Sequence, residues 1–197
     1  MKIILTLATA ITAVFFTAQA ESIHDRKIET RNPGNFYGIM VNTNANIIIT
    51  QSEYTSVQIA GEKSVIENVM TEVINGALVI SGPASKSVDI YITVENLNLI
   101  EVNGTARILG KGTFNTDVVL LKVNGSGSIK MDIRSLTVGM IVKGSGKIIA
   151  SGSTGSSFVK VFGTGNVYSS ELDSFSNKYC NPEKQASGEK RPTLKLQ

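Results

Sequence analysis

The sequence predicts an all-β domain, a parallel β-helix-like solenoid of about seven coils of 18–22 residues, and three observations predict it. The first is a heptapeptide, V-x-G-[ST]-[GA]-x-[IV], repeated four times beyond Asn98. Its copies begin at Val102, Val123, Val142 and Val161, so the starts lie 21, 19 and 19 residues apart. The second is composition. Of 197 residues 18 are Gly and only 4 are Pro, against many Val and Ile, which suits short strands joined by tight turns. The third is a set of weaker copies upstream at Val41, Ile59 and Ile80, spaced 18, 21 and 22 residues along the series to Val102. An antiparallel β-sandwich or meander, with each G-[ST]-G as a hairpin turn, is the alternative. It does not require the same residue at the same corner every ~20 positions.

Residues 1–20 read as a signal peptide. Met1-Lys2 is basic, Ile3 to Thr17 is apolar, and Ala18-Gln19-Ala20 is a small-x-small site predicting cleavage after Ala20. The 15-residue apolar run falls short of the ~20 residues that cross a bilayer. No Cys follows the site and no later segment is long and apolar, so a soluble mature chain without a transmembrane segment is expected. Residues 21–35 are polar and end in the turn signal Asn32-Pro33-Gly34. The β domain is assigned to residues 36–175. Within it, 46–50 and 56–60 read as strands. Ser64-Val65-Ile66-Glu67 fits a capping box that opens a short helix to about Val73. Asn75-Gly76 is a tight turn leading into a strand at 77–80. Residues 176–197 form a polar tail with Pro182 and Pro192, expected to be disordered after capping the last coil.

In the repeat, the Val and Ile/Val positions are expected inside, stacked coil on coil at ~4.8 Å. The column Gly104, Gly125, Gly144, Gly163 marks a corner that requires positive φ. Beside it stands a hydroxyl column, Thr105, Ser126, Ser145 and Thr164. Strand alternation turns the residues after each first Val outward, namely Asn103, Asn124, Lys143 and Phe162. That column changes chemistry from coil to coil and is the candidate binding ridge.

The chemistry-bearing residues are sparse. His24 is the only histidine and precedes the domain, which leaves it without an imidazole for a serine triad or a metal site. Carboxylates are dispersed with no calcium-type D-x-D cluster. Gly144-Ser145-Gly146-Lys147 fails as a phosphate loop: Ile141 stands where the first Gly belongs, no Ser or Thr follows the Lys, and a strand comes next. Asn103-Gly104-Thr105 and Asn124-Gly125-Ser126 match glycosylation sequons, but a repeated corner explains both. Cys180 is the sole cysteine, so no internal disulfide forms. The formal net charge of +3, without a basic block carrying interleaved aromatics, excludes a nucleic-acid binder. No catalytic residue, cofactor or metal is expected. The reading is a non-catalytic exported binding module whose partner is a glycan, an envelope component or a protein. A polysaccharide-active β-helix enzyme, with carboxylates meeting across coils, and a purely structural envelope protein are the alternatives.

The order of the segments resembles the head GIN domain proteins, a bacterial family classed with autotransporter adhesins. The resemblance rests on Phe36-x-x-Ile39-x-Val41, Asn46-Ile47-x-Ile49-x-Gln51, Val57-x-Ile59 and Thr71-Glu72-Val73-x-Asn75-Gly76-x-Leu78-x-Ile80. It continues with Ile90-x-Ile92-Thr93-Val94-x-x-Leu97 leading into the G-[ST]-[GA] repeats, and covers about Phe36 to Tyr168. It implies a right-handed β-helix-like fold, an adhesion-type role and a place in the bacterial envelope, either periplasmic or at the cell surface. It brings no catalytic residues.

Overall fold

A computed structural model describes residues 26–83 and 88–180. The signal peptide, its cleavage site, His24 and the tail beyond Cys180 lie outside the described residues. Twelve strands and one helical turn make an all-β domain with a single curled, mixed sheet. In chain order the first elements are β1 (Arg26–Arg31), β2 (Gly38–Asn42), β3 (Ala45–Gln51), β4 (Ser56–Glu62), α1 (Lys63–Ile66), β5 (Met70–Ile74) and β6 (Ala77–Ser81). There follow β7 (Val88–Val94), β8 (Leu99–Gly104), β9 (Arg107–Gly125), β10 (Ser128–Gly144), β11 (Lys147–Phe162) and β12 (Asn166–Cys180).

From β8 onward the pairing is parallel and follows the sequence period. Val102 pairs with Val123, Val123 with Val142, and Val142 with Val161. The other repeat position forms a second column, Ile108, Ile129, Ile148 and Val167. The Val column and the first three members of the Ile column are buried, with Val167 packed against them. Alternation of apolar and polar residues, period two, places them on one side of every strand. Each such side chain contributes about 1.5–3 kcal/mol relative to exposure. A third inner wall is built where the long strands bend, from Phe114, Ile133 and Leu172, with Gly152 between the last two.

The N-terminal half departs from the seven-coil expectation. Val41 and Ile80 do extend the Val column, but in the order Ile80, Val41, Val102, because β2 inserts between β6 and β8. Likewise Ile47 lies between Ile90 and Ile108, because β3 inserts between β7 and β9. Ile59 does not start a parallel coil. β4 runs antiparallel to both β1 and β7, with Ile59 opposite Glu29 and Ile90. The helix expected to reach Val73 is a single turn, Lys63–Ile66, and the Ser64 side chain does not cap it. Asn68 Nδ2 donates to the Ser64 carbonyl at 2.7 Å, and the chain then extends as β5. The cause is the turn at Asn75 (φ +50°) and Gly76 (φ +76°), whose paired positive φ folds β5 back antiparallel on β6. A hairpin there consumes the residues that a parallel coil would need.

The two ends of the domain are also strand. β1 occupies part of the segment read as polar. Its Arg26 donates to the Asp89 carboxylate on β7, which also accepts from Asn46 Nδ2 at 3.1 Å. The Arg26 hydrogen bond, followed by that of Asn46, holds the Asp89 carboxyl below the usual carboxylate range. β12 runs in register with β11 as far as Cys180, five residues into the segment read as tail.

Candidate binding face

The corner between the two repeat columns sets what faces out. Gly104, Gly125, Gly144 and Gly163 have φ of +117°, +122°, +108° and +103°. The chain is so close to its neighbour there that a Cβ on Gly125 would lie 2.8 Å from the Gly104 carbonyl oxygen. That carbonyl accepts from the Ser126 and Gly127 amides of the next repeat at 3.0 and 2.8 Å. Two residues on, Gly127 is buried, and its Cβ would fall 2.6 Å from the Val102 side chain. The hydroxyl column Thr105, Ser126, Ser145 and Thr164 is exposed at the tip of the corner.

Asn103, Asn124, Lys143 and Phe162 stand in register on β8 to β11, one residue before the corner glycines. The four do different work. Asn103 Nδ2 donates to Asn42 Oδ1 at 2.7 Å, and Asn124 Nδ2 donates to Asn103 Oδ1 at 2.7 Å. The result is an amide ladder across β2, β8 and β9. Asn124 Nδ2 also donates to Glu101 Oε1 at 2.8 Å, and Lys122 Nζ donates to the same oxygen at 2.9 Å. Both asparagines are therefore occupied within the protein, and both are half-buried.

The ladder stops at β10, where the next member is Lys143 rather than a fourth Asn. Asn124 Oδ1 is left buried without a partner. Lys143 is exposed, with its Nζ 6.0 Å from the centre of the Phe162 ring, and Phe162 is itself 39% exposed. A cation over an aromatic face at that distance is a weak attraction. Beside this pair Lys160 is exposed and Ile141 half-buried. The sequence-read column thus separates into an amide part turned to internal bonding and a cation–aromatic part open to solvent. The Glu101–Lys122 pair was not read from sequence. Its only signal is that positions two before Asn103 and Asn124 point the same way.

The described residues of this face offer amide, cation and aromatic contacts. No cluster of three or more His, Cys, Asp or Glu is placed to hold a metal ion. Gly144-Ser145-Gly146-Lys147 lies on the corner and runs straight into β11. A depression of about 690 Å³ is lined by Asn96, Asn98, Asn115, Arg134 and one carboxylate, Asp117. No described helix is long and apolar enough to cross a membrane.

Comparison with known proteins follows the same lines. The family described as "Putative auto-transporter adhesin, head GIN domain" matches residues 35–182. Among curated proteins no significant match is found. A solved structure of a "putative adhesin" from Parabacteroides distasonis is similar at TM-score 0.63 and 15% identity, covering 81% of this chain and 79% of that one. A "putative lipid binding protein" from the same organism is similar at TM-score 0.62 and 14% identity, covering 79% and 78%. A "putative adhesin" from Parabacteroides merdae is similar at TM-score 0.58 and 11% identity, covering 79% and 77%. At such identities the likeness is one of fold.

Proposed function

The chain belongs to the head GIN domain family, and on that premise we propose that it is an exported, non-catalytic binding module of the bacterial envelope. Export rests on the Ala18-Gln19-Ala20 site, with residues 1–20 removed and the mature protein in the periplasm or at the cell surface. The module reading rests on the family and on neighbours described as adhesins. In this reading the long parallel strands act as a β-helix-like body that presents side chains in straight columns.

One observation carries the choice of contact residues. The amide ladder ends abruptly at an exposed cation–aromatic pair, Lys143 with Phe162, which no internal bond requires. Asn103 and Asn124 support the face, and Lys143 and Phe162 meet the partner, a glycan, an envelope component or a protein. Mass spectrometry of exported protein is expected to show Glu21 as the first residue. An intact Met1 form in the extracytoplasmic fraction removes that part of the proposal. With a partner captured from envelope glycans and extracts, Lys143→Ala and Phe162→Ala are expected to weaken binding several-fold and to leave the melting transition unchanged. Parental affinity in both variants shows that the ridge is ordinary surface.

A further inference from the structure

On the other side of the glycine corner a second row of side chains points out of the sheet. It runs Tyr91, Ile48, Leu109, Lys130, Ile149, Tyr168, each in register with the next across β7, β3, β9, β10, β11 and β12. Five strand spacings make the row about 24 Å long. Tyr91, Leu109 and Tyr168 are 41%, 45% and 54% exposed, unusual for a line of adjacent large side chains. The neighbouring row is polar: Asn46, Arg107, Ser128, Lys147 and Asn166. Between the rows lies a depression of about 390 Å³ bordered by Arg107, Leu109, Lys130, Lys147 and Ile149. Arg107, Lys130 and Lys147 are exposed and make no ion pair among the described residues. Of the acids on this face, Asp89 is engaged by Arg26 and Asn46, and Asp132 by Ser151 Oγ at 2.9 Å, while Glu171 is exposed.

We propose that this strip binds an extended acidic polysaccharide, independently of the Lys143–Phe162 ridge. The strip is linear, with one edge apolar and the other lined by cations, amides and a hydroxyl. A uronic-acid chain has the same two sides, ring C–H faces and carboxylates with hydroxyls. Arg107 and Lys147 stand two strands apart, about 9.5 Å, with Lys130 between them on the apolar row. Acids on alternate sugars of an extended chain would meet them in turn, while Tyr91 and Tyr168 stack on sugars at either end. A flat anionic membrane fits less well, because Asp132 and Glu171 lie on the same face beyond the apolar row.

The test titrates the full chain with alginate, with neutral dextran, and with vesicles of phosphatidylglycerol and phosphatidylcholine. Alginate is expected to bind, more weakly as salt rises, and dextran not to bind. The double variant Arg107→Glu/Lys147→Glu is expected to lose affinity roughly tenfold or more. Tyr168→Ala is expected to lose several-fold, and Lys143→Ala to lose nothing. All variants should keep the parental melting transition. Vesicle binding without alginate binding, equal affinity of the double variant, or equal sensitivity to Lys143→Ala would each overturn the proposal. The last would move the site to the ridge, so failure here is distinguishable from failure of the ridge.

Discussion

Residues 99–180 and residues 26–94 use the same side-chain columns but build them differently. In the C-terminal part each strand from β9 onward pairs in parallel with its predecessor at the sequence period, and equivalent residues stack on one another. In the N-terminal part the same columns are assembled out of order and closed by antiparallel strands, β4 with β1 and β7, and β5 with β6. The difference teaches that repetition in sequence records equivalence of neighbours. Where a strand sits between two like copies, its corner must match theirs. Where it sits beside a hairpin or an edge, only its apolar face is constrained.

The sharpest way to break that comparison is at the corner. Gly125→Val places a β-branched residue at positive φ and drives Cβ into the Gly104 carbonyl. The expected loss is about 3 kcal/mol in urea denaturation. Gly104 has a similar φ, +117°, but no atom lies within 4 Å of its Cβ position. Gly104→Val is expected to cost only the backbone strain, about 1–2 kcal/mol. Equal losses would mean that stacking on a preceding corner plays no part. Lys147→Thr, at an exposed position of the same repeat, serves as the reference and is expected to fall within about 0.5 kcal/mol of the parent.

A smaller effect tests the first step of the C-terminal part, between β8 and β9. Glu101→Ala removes the acceptor shared by Lys122 and Asn124. Both side chains are partly buried, so a loss of about 1–2 kcal/mol is expected by denaturant titration. No loss would show that water replaces the carboxylate without cost. The smallest effect belongs to the N-terminal edge. An unfolded Asp titrates at about pH 3.9, and Arg26 and Asn46 lower the Asp89 value in the fold by stabilising its charged form. Its contribution is present above that pH and is lost as pH falls through the lower folded value. Arg26 is largely exposed, so the contribution is small. The stability difference between the parent and Asp89→Asn should therefore shrink below about pH 4. A constant difference through that range would remove the pair from the account.

What was legible in the sequence follows the same division. The Val column, the Ile column and the corner glycines from Val102 to Val167 are visible because each copy is dictated by the copies beside it. The turn after Val73 is visible because Asn75-Gly76 carries its own backbone preference, but the strand before it, Met70–Ile74, reads as helix. The place of Ile59 was not legible. A strand with alternating apolar residues reads the same whether its neighbours run with it or against it. The insertion of β2 and β3 between later strands is equally silent, since pairing across 61 residues leaves no local mark. In the ridge, outward placement was legible from alternation. The division of labour between Asn124 and Lys143 was not, because Glu101 and Asn42 enter it from other columns.

The inserted position of β2 and β3 bears on the order in which the molecule can be made. During synthesis the amino-terminal strands emerge first, yet the second partner of β2 is β8, and that of β3 is the start of β9. Neither strand is flanked on both sides until residues 99–111 have left the ribosome. After that point each new long strand finds a completed edge waiting and can add to it one at a time. The domain is therefore expected to fold in a slow, long-range first stage and a fast, templated second one. Truncations ending inside β11 should still fold, whereas any that end before Gly104 should not.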